Sequence, residues 1–501
     1  MAEYFKRVVQ GAFLIFIFNI FAAFFSYLMR FVMTSNLTPQ DYALFYSCFS
    51  LVGLVMIFSD LGLTHSMIYH ISRYRAQGKY DLLKNSILTG FLMQLLLGIV
   101  FASIIFFSSK YIATYYLHLS YVSTGYESAV LILQLLALGV FLNVFLNIVT
   151  AIFQGFQQMK IVAIGELSRM FMWFAFTTGL VFMGFSVISP ALGFVLAYVT
   201  MSVIFGFVAI RLIPKSKTIS RPDNEMAKKL FGYGLPVMIS LAVGYVLSYT
   251  DTIMLTLLTG LGQIHLYQTA QPTATLLWFF SGSLVVVLFP LITEIHAKTP
   301  EKVGKNMGLI YKYIWLVVIP AALIMFSFSA EILGVLFGPN YVGGSNVLKI
   351  LSVGAIFFSV TQINGTFLNG IGKPDSYKNV VYKGAAFNVV GNFVLIPILG
   401  MEGAAFSTLL AYLYMFFGTF IEMRKLTRPS IPYGAWAKTI FSGLIALAAL
   451  YVTKTLVVAS VFVEIALGLA VFGVVFGVFV LMFRVITVGE ITKILKKGLS
   501  R

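Results

Sequence analysis

Fourteen stretches of about 20 mostly apolar residues, each long enough to cross a hydrocarbon core, follow one another along this chain. Nothing else in the sequence constrains the fold as much. The first six run roughly through residues 12–33, 42–63, 86–107, 129–154, 161–182 and 189–212. Six more cover 226–259, 266–292, 307–328, 343–368, 380–399 and 404–421, and two close the chain at 435–452 and 461–486. The runs exceed the roughly 10 residues of a barrel strand and lack its in/out alternation. The expected class is therefore all-α and integral to a membrane, with about 14 transmembrane helices. Only 10% of residues are charged and 59% are hydrophobic, against roughly 25% charged in a soluble domain. That balance excludes a soluble enzyme and an intrinsically disordered chain.

Some chemistries drop out early. The one cysteine, Cys48, has no disulfide or CxxC partner, and the five histidines show no metal-ligand spacing. No metal or other cofactor is expected. Lys6 and Arg7 precede an apolar run too long for a cleavable signal, so it reads as a first transmembrane helix.

The formal charge of +17 has a topological explanation. With the N-terminus inside, all Lys and Arg except Lys110, Lys349, Lys454, Arg30 and Arg169 fall in inner segments, as the positive-inside rule requires. An even number of spans returns the C-terminus to the cytoplasmic side. The excess is spread over every inner loop, which argues against nucleic acid as a partner. The expected location is the cell membrane, multi-pass, with both termini cytoplasmic.

The chain also repeats itself. Phe58-Ser59 aligns with Phe280-Ser281 at an offset of 222; Leu133, Leu136, Gly139 and Gly155 align with Leu348, Leu351, Gly354 and Gly370 at 215; Leu196-Ala197-Tyr198 aligns with Leu410-Ala411-Tyr412 at 214. Nearly constant offsets over three helix pairs indicate two copies of a six-helix unit. This divides the chain into an N-lobe at 1–212, a cytoplasmic connector at 213–225, a C-lobe at 226–424, and two added helices with a basic tail at 425–501. Six is even, so the copies face the same way, and such repeats place a site near mid-membrane.

Ionisable residues inside spans are costly and point to function by default. They are Arg30, Asp60, Glu166, Arg169 and Asp251, with Lys349 in the outer part of span ten. Glu166 and Arg169 are three apart and can neutralise each other. Asn143, Asn147, Thr150 and Gln154 in span four share one helix face, and Gln362 and Asn369 occupy the repeat positions of Asn147 and Gln154. Such a stripe serves either a cavity or interhelical hydrogen bonding. Candidate substrate-binding residues are thus Arg30, Arg169, Lys349, Asn147, Gln154, Gln362 and Asn369. Asp251 and Asp60 are the candidates for ion coupling, to H+ or Na+.

Motif order then brings a family into view. Arg30 precedes Tyr42-Ala43-Leu44-Phe45; Asp60-Leu61-Gly62-Leu63 follows; Gly234-Leu235-Pro236 opens span seven, with Asp251 beyond it, and Leu288-Phe289-Pro290 comes next. The densest stretch runs from Phe337-Gly338-Pro339-Asn340-Tyr341 through Leu368-Asn369-Gly370-Ile371-Gly372-Lys373 to Ile396-Pro397-Ile398-Leu399-Gly400-Met401-Glu402-Gly403-Ala404-Ala405. Over about its first 425 residues the chain resembles the polysaccharide transporters (Wzx-like O-antigen and teichoic acid exporters) of the MOP flippase superfamily. Ala43, where that family often has glycine, and the two extra C-terminal helices are departures. The resemblance implies two six-helix bundles around a cavity that opens alternately to either side. The implied cargo is a lipid-linked oligosaccharide, carried on a polyprenyl phosphate or pyrophosphate from the cytoplasmic to the outer leaflet, with membrane lipid and polysaccharide assembly enzymes as partners. A lipid II flippase and a MATE-type cation or drug antiporter share the architecture and remain alternatives. A membrane glycosyltransferase or polymerase would want a long acidic outer loop; the longest here, 108–128, has one acidic residue, Glu127.

Overall fold

The structure, a computed structural model, describes residues 2–213, 222–299, 301–427, 429–456, 460–487 and 489–490. Residues 2–16 and some positions between 279 and 306 are described for their backbone alone. Most of the connector expected at 213–225, and the basic tail beyond 490, lie outside the described residues. Among the described residues the regular structure is helical. In chain order the helices are α1 (Ala2–Asn36), α2 (Pro39–Asp60), α3 (Leu63–Ala76), α4 (Tyr80–Tyr115), α5 (Tyr126–Gly155), α6 (Met159–Phe182), α7 (Ser189–Leu212) and α8 (Asn224–Thr259). They continue as α9 (Ile264–Thr275), α10 (Trp278–Lys298), α11 (Glu301–Ser327), α12 (Ser329–Phe337), α13 (Ser345–Gly370), α14 (Pro374–Thr427), α15 (Tyr433–Leu456) and α16 (Val461–Met482).

Among the described residues, 11 helical segments are long and apolar enough to cross a membrane. The 54-residue α14 holds two spans, because Gly400 breaks it with φ 60° and ψ −132°. The 24-residue α6 carries Lys160, Glu166 and Arg169, three charges on an otherwise apolar helix. The expected eighth span, 266–292, is not one helix: α9 and α10 divide it at Leu276-Leu277, shortly after Pro272. With these three adjustments the architecture is compatible with fourteen crossings. The second span also differs from its expected end at 63. After a left-handed turn at Leu61 (φ 46°) and Gly62 (φ 74°), the chain resumes as α3 and stays helical to Ala76.

That turn is shaped by close packing. A Cβ on Gly62 would lie 2.1 Å from the carbonyl oxygen of Gly234 on α8. Glycine is required there twice over, for its positive φ and for the backbone contact. The two motifs Asp60-Leu61-Gly62-Leu63 and Gly234-Leu235-Pro236 are thus the two sides of one helix crossing.

The chain forms two compact units. The first comprises Met1–Gln268 and Asn392–Met401. Its core joins Leu63, Met67 and Ile71 of α3, Val144, Ile148 and Ile152 of α5, and Met226 and Leu230 of α8. The second comprises Thr269–Gly391 and Glu402–Arg501. Its core joins Ile292 of α10, Tyr311, Ile314 and Val318 of α11, Ile363 and Phe367 of α13, and Trp436 of α15. Trp436 stacks on Trp315 with centroids 4.3 Å apart. Lys454 of α15 meets Glu331 of α12 and, at 3.6 Å, Glu464 of α16, which ties the last two helices to the second unit. The units cut the chain elsewhere than the sequence repeat does, because α8 packs on α2 and α3.

The repeat is visible within each unit. At the end of α5 the N–H groups of Phe156, Gln157 and Gln158 donate to the carbonyls of Ile152, Gln154 and Phe153. At the end of α13, Ile371, Gly372 and Lys373 donate in the same pattern to Phe367, Asn369 and Leu368. Gln157 (φ 59°) and Gly372 (φ 76°) are both left-handed. Gly155 faces Ile71 of α3, and Gly370 faces Ile292 of α10.

Candidate functional site

Two adjoining cavities lie inside the first unit. One, of about 470 Å³, is lined by Arg30, Tyr46, Asp60, His65, Asn143, Asn147, Arg169, Trp173, Tyr198, Tyr245 and Tyr249, among others. The second, of about 440 Å³, shares Asn143, Asn147, Arg169, Tyr198 and Tyr245 with the first and adds Thr150, Gln154 and Glu166. The whole stripe of α5 therefore faces cavity. The spacing of four, three and four turns these side chains to one face, and the apolar faces of α5 pack on α3 and α7 instead.

Arg30 is held with care. Its Nη1 donates to the Tyr42 hydroxyl at 3.0 Å and to the backbone carbonyl of Gln268 at 2.8 Å, while the guanidinium carbon lies 4.4 Å from the centre of the Tyr46 ring. The Gln268 carbonyl is available because Pro272, four residues on in the same helix, has no N–H to give it. Among the described residues Arg30 has no acidic partner within ion-pair distance. Arg169 does: its Nε donates to Glu166 Oε2 at 3.2 Å and its Nη1 to the Tyr198 hydroxyl at 3.3 Å. The i,i+3 neutralisation read from the sequence is formed, and both members also line cavity. Asp60 accepts hydrogen bonds from Gln94 Nε2 at 2.7 Å and from the N–H and hydroxyl of Thr64.

Other candidates fall elsewhere. Asp251 is 2% exposed and lines neither cavity. It accepts hydrogen bonds from the Tyr267 hydroxyl at 2.6 Å and from Asn392 Nδ2 at 2.8 Å, joining α8 to α9 and to the part of α14 that belongs to the first unit. Gln362 and Asn369 line a smaller pocket of about 240 Å³ inside the second unit, where Gln362 accepts a hydrogen bond from Ser281 at 2.6 Å. Lys349 is half-buried in the first turn of α13 and lines none of these three cavities.

Sequence reasoning missed Gln94, Tyr46, Tyr198, Tyr245 and Tyr249. Single aromatics and amides in apolar spans look like packing residues. The one available signal was the four-residue spacing of Tyr42 and Tyr46, which puts both on one face of α2. Chemically, the arrangement offers guanidinium groups to an anion and amides and hydroxyls to a polyol, inside a unit whose outside is apolar. Among the described residues, no group of three or more metal-ligating side chains occurs.

A model of the polysaccharide biosynthesis protein family matches residues 8–296. The chain is 29% identical to an uncharacterised membrane protein of Methanocaldococcus jannaschii, with 100% of each chain covered. It is 25% identical to the "Probable low-salt glycan biosynthesis flippase Agl15" of Haloferax volcanii, over 79% of each chain. Its fold is that of a solved "Lipid II flippase MurJ, inward closed conformation", with a TM-score of 0.75 at 15% identity, covering 98% of this chain and 100% of that one. The chain belongs to the polysaccharide biosynthesis protein family, the multi-pass transporters of the MOP flippase superfamily that its motifs resemble.

Proposed function

We propose that the protein flips a lipid-linked oligosaccharide from the cytoplasmic to the outer leaflet for surface glycan assembly, and that the cavities of the first unit receive its polar part. The observation that carries this reading is Arg30: a guanidinium on a cavity wall, oriented by Tyr42 and Gln268, with no carboxylate within ion-pair distance among the described residues. Such a group binds the phosphate or pyrophosphate of a polyprenyl carrier through paired donors. Arg169 adds a second guanidinium, moderated by Glu166. Asn143, Asn147, Thr150 and Gln154 then offer hydrogen bonds to sugar hydroxyls. Gln362 and Asn369 have a lesser part, in a smaller neutral pocket, and Lys349 meets lipid headgroups at the membrane surface.

The named flippase among the relatives supports the cargo class, and polysaccharide assembly enzymes are its partners in this reading. The distribution of Lys and Arg supports a cytoplasmic-membrane location with both termini inside. Of the two coupling candidates, Asp60 is favoured because it is on the cavity wall, while Asp251 positions helices. The test is transport in proteoliposomes of a fluorescent polyprenyl-pyrophosphate oligosaccharide beside a cationic dye. Flipping of the glycolipid alone is expected. Movement of the dye alone would overturn the reading.

A further inference from the structure

Asp60 and Gln94 are only half satisfied by one another. Gln94 of α4 is 1% exposed. Its Nε2 donates to Asp60 Oδ1 at 2.7 Å and lies 3.1 Å from Thr64 Oγ1. Its Oε1 is buried and has no hydrogen-bond partner among the described residues. Thr64 gives Asp60 two further hydrogen bonds, from its N–H and its hydroxyl. This set suits an ionised carboxylate and leaves the acceptor end of a buried amide idle, which is unfavourable. A half-turn of the amide exchanges its two ends. Oε1 then faces Asp60, which is repulsive beside a carboxylate and a hydrogen bond beside a carboxylic acid.

We propose that Asp60 and Gln94 form a proton site that sets the charge of the first unit's cavities. A proton from cavity water forms an O–H bond on Asp60, which donates to the turned Gln94 Oε1; release returns the proton to water and the amide to its present orientation. Nothing but a proton and an amide rotation is needed, whereas a metal ion would have to displace three donors and find further oxygens.

The consequence is electrostatic. Arg30 and Arg169 share the cavity walls with Glu166 and Asp60. With all four ionised their charges cancel. With Asp60 protonated the walls carry one net positive charge, and an anionic headgroup binds more tightly. Linkage makes the effect reciprocal, so anion binding draws the proton in. The coupling rests on the anionic-cargo reading above; the proton site does not. Other titratable groups on these walls are Tyr46 of α2, His65 of α3 and Tyr198, Tyr245 and Tyr249 of α7 and α8, while α5 presents the neutral amides Asn143 and Asn147; Gln94 of α4 is buried against Asp60.

Infrared difference spectra of the full-length detergent-solubilised protein, taken between about pH 9 and about pH 4, test the site without any ligand. A protonated-carboxyl band is expected that Asp60→Asn abolishes, Gln94→Leu shifts and His65→Gln leaves in place. Absence of an Asp60-dependent band overturns the proton site. Calorimetry with a short-chain isoprenyl pyrophosphate, in buffers of different ionisation enthalpy, then counts protons. The wild type should take up about one proton more per bound probe than Asp60→Asn. Equal uptake overturns the charge coupling. Failure of the probe to bind either protein overturns the anionic-cargo reading, and the infrared band still decides the proton site.

Discussion

The same helix occurs twice in this protein with opposite results. In α5 the positions Asn143, Asn147, Thr150 and Gln154 all face the cavities of the first unit. An offset of 215 turns them into Phe358, Gln362, Gly365 and Asn369 of α13. Phe358 packs against Trp278 and Tyr412, with ring centroids 4.5 Å from each. Gly365 gives its space to the ring of Tyr377. What remains is a pocket about half as large, lined by neutral residues. Charge differs as well. In the first unit Arg30, Asp60, Glu166 and Arg169 line cavities. In the second, Lys312 pairs with Glu490, and Lys454 with Glu331 and Glu464, so these charges hold helices together. The turn that ends each helix is the same in both copies, and among the described residues Phe358 and Tyr377 fill space at two of the four stripe positions of the second.

The sharpest way to break this comparison is to remove one polar group from each copy. Arg30→Gln should cut glycolipid flipping on the order of a hundredfold, as loss of a charge-assisted anion contact implies. Arg30→Lys should keep part of the activity. Gln362→Leu should stay within about threefold, the effect of a single neutral hydrogen bond. Equal losses from Arg30→Gln and Gln362→Leu in stably expressed protein would mean that the second unit matters as much as the first. Single cysteines at the equivalent positions 143 and 358 sharpen the point without a transport assay. The native Cys48 is buried. A water-soluble thiol reagent should modify Asn143→Cys readily and Phe358→Cys slowly; similar rates would show that the aromatic packing does not close the second copy.

Much of this was legible in the sequence. The long apolar runs gave the class, the offsets gave the repeat, and the spacing from Asn143 to Gln154 gave one wall of the site. Other parts depended on residues far apart in the chain. Asp251 looked like a lone intramembrane carboxylate, yet Asn392, which satisfies it, is 141 residues away. Arg169 had Glu166 three residues away as a legible partner, whereas the Gln268 carbonyl that orients Arg30 is 238 residues away. Gln94 carried no signal because a single amide in the apolar run 86–107 has no periodicity.

The two helix ends provide a smaller test. Gln157 and Gly372 occupy the same left-handed position, and a Cβ at Gly372 would meet open space. Only backbone preference therefore separates them. Gln157→Gly should stabilise the protein, and Gly372→Gln should destabilise it, each by about 1 kcal/mol, read from thermal unfolding in detergent. A large loss from Gly372→Gln would show that the second copy has a further constraint at this turn. The smallest expected effect concerns Glu490, beyond the end of α16. The N–H of Thr487 and then the Lys312 ammonium hold its carboxyl below the usual range. A carboxyl depressed on folding stabilises above its unfolded value and loses that contribution as pH falls through its folded one. Protease sensitivity of the segment after α16 should therefore rise as pH falls below about 4, and Glu490→Gln should be sensitive at every pH. A flat profile in the wild type would mean that this ion pair does not hold the segment.

The contact between Gly62 and Gly234 bears on how such a chain can evolve. Where two side chains touch, a larger one on one helix can be answered by a smaller one on the other, and related sequences keep a trace of the exchange. Here two main chains touch, with a Cβ on Gly62 only 2.1 Å from a carbonyl oxygen and one on Gly234 at 3.0 Å from the turn opposite. Neither position has anything smaller to offer in compensation. Correlated substitution will therefore be silent at one of the closest helix approaches in the first unit, and a contact map inferred from sequence variation alone will miss the point where α8 is pinned to the α2–α3 turn.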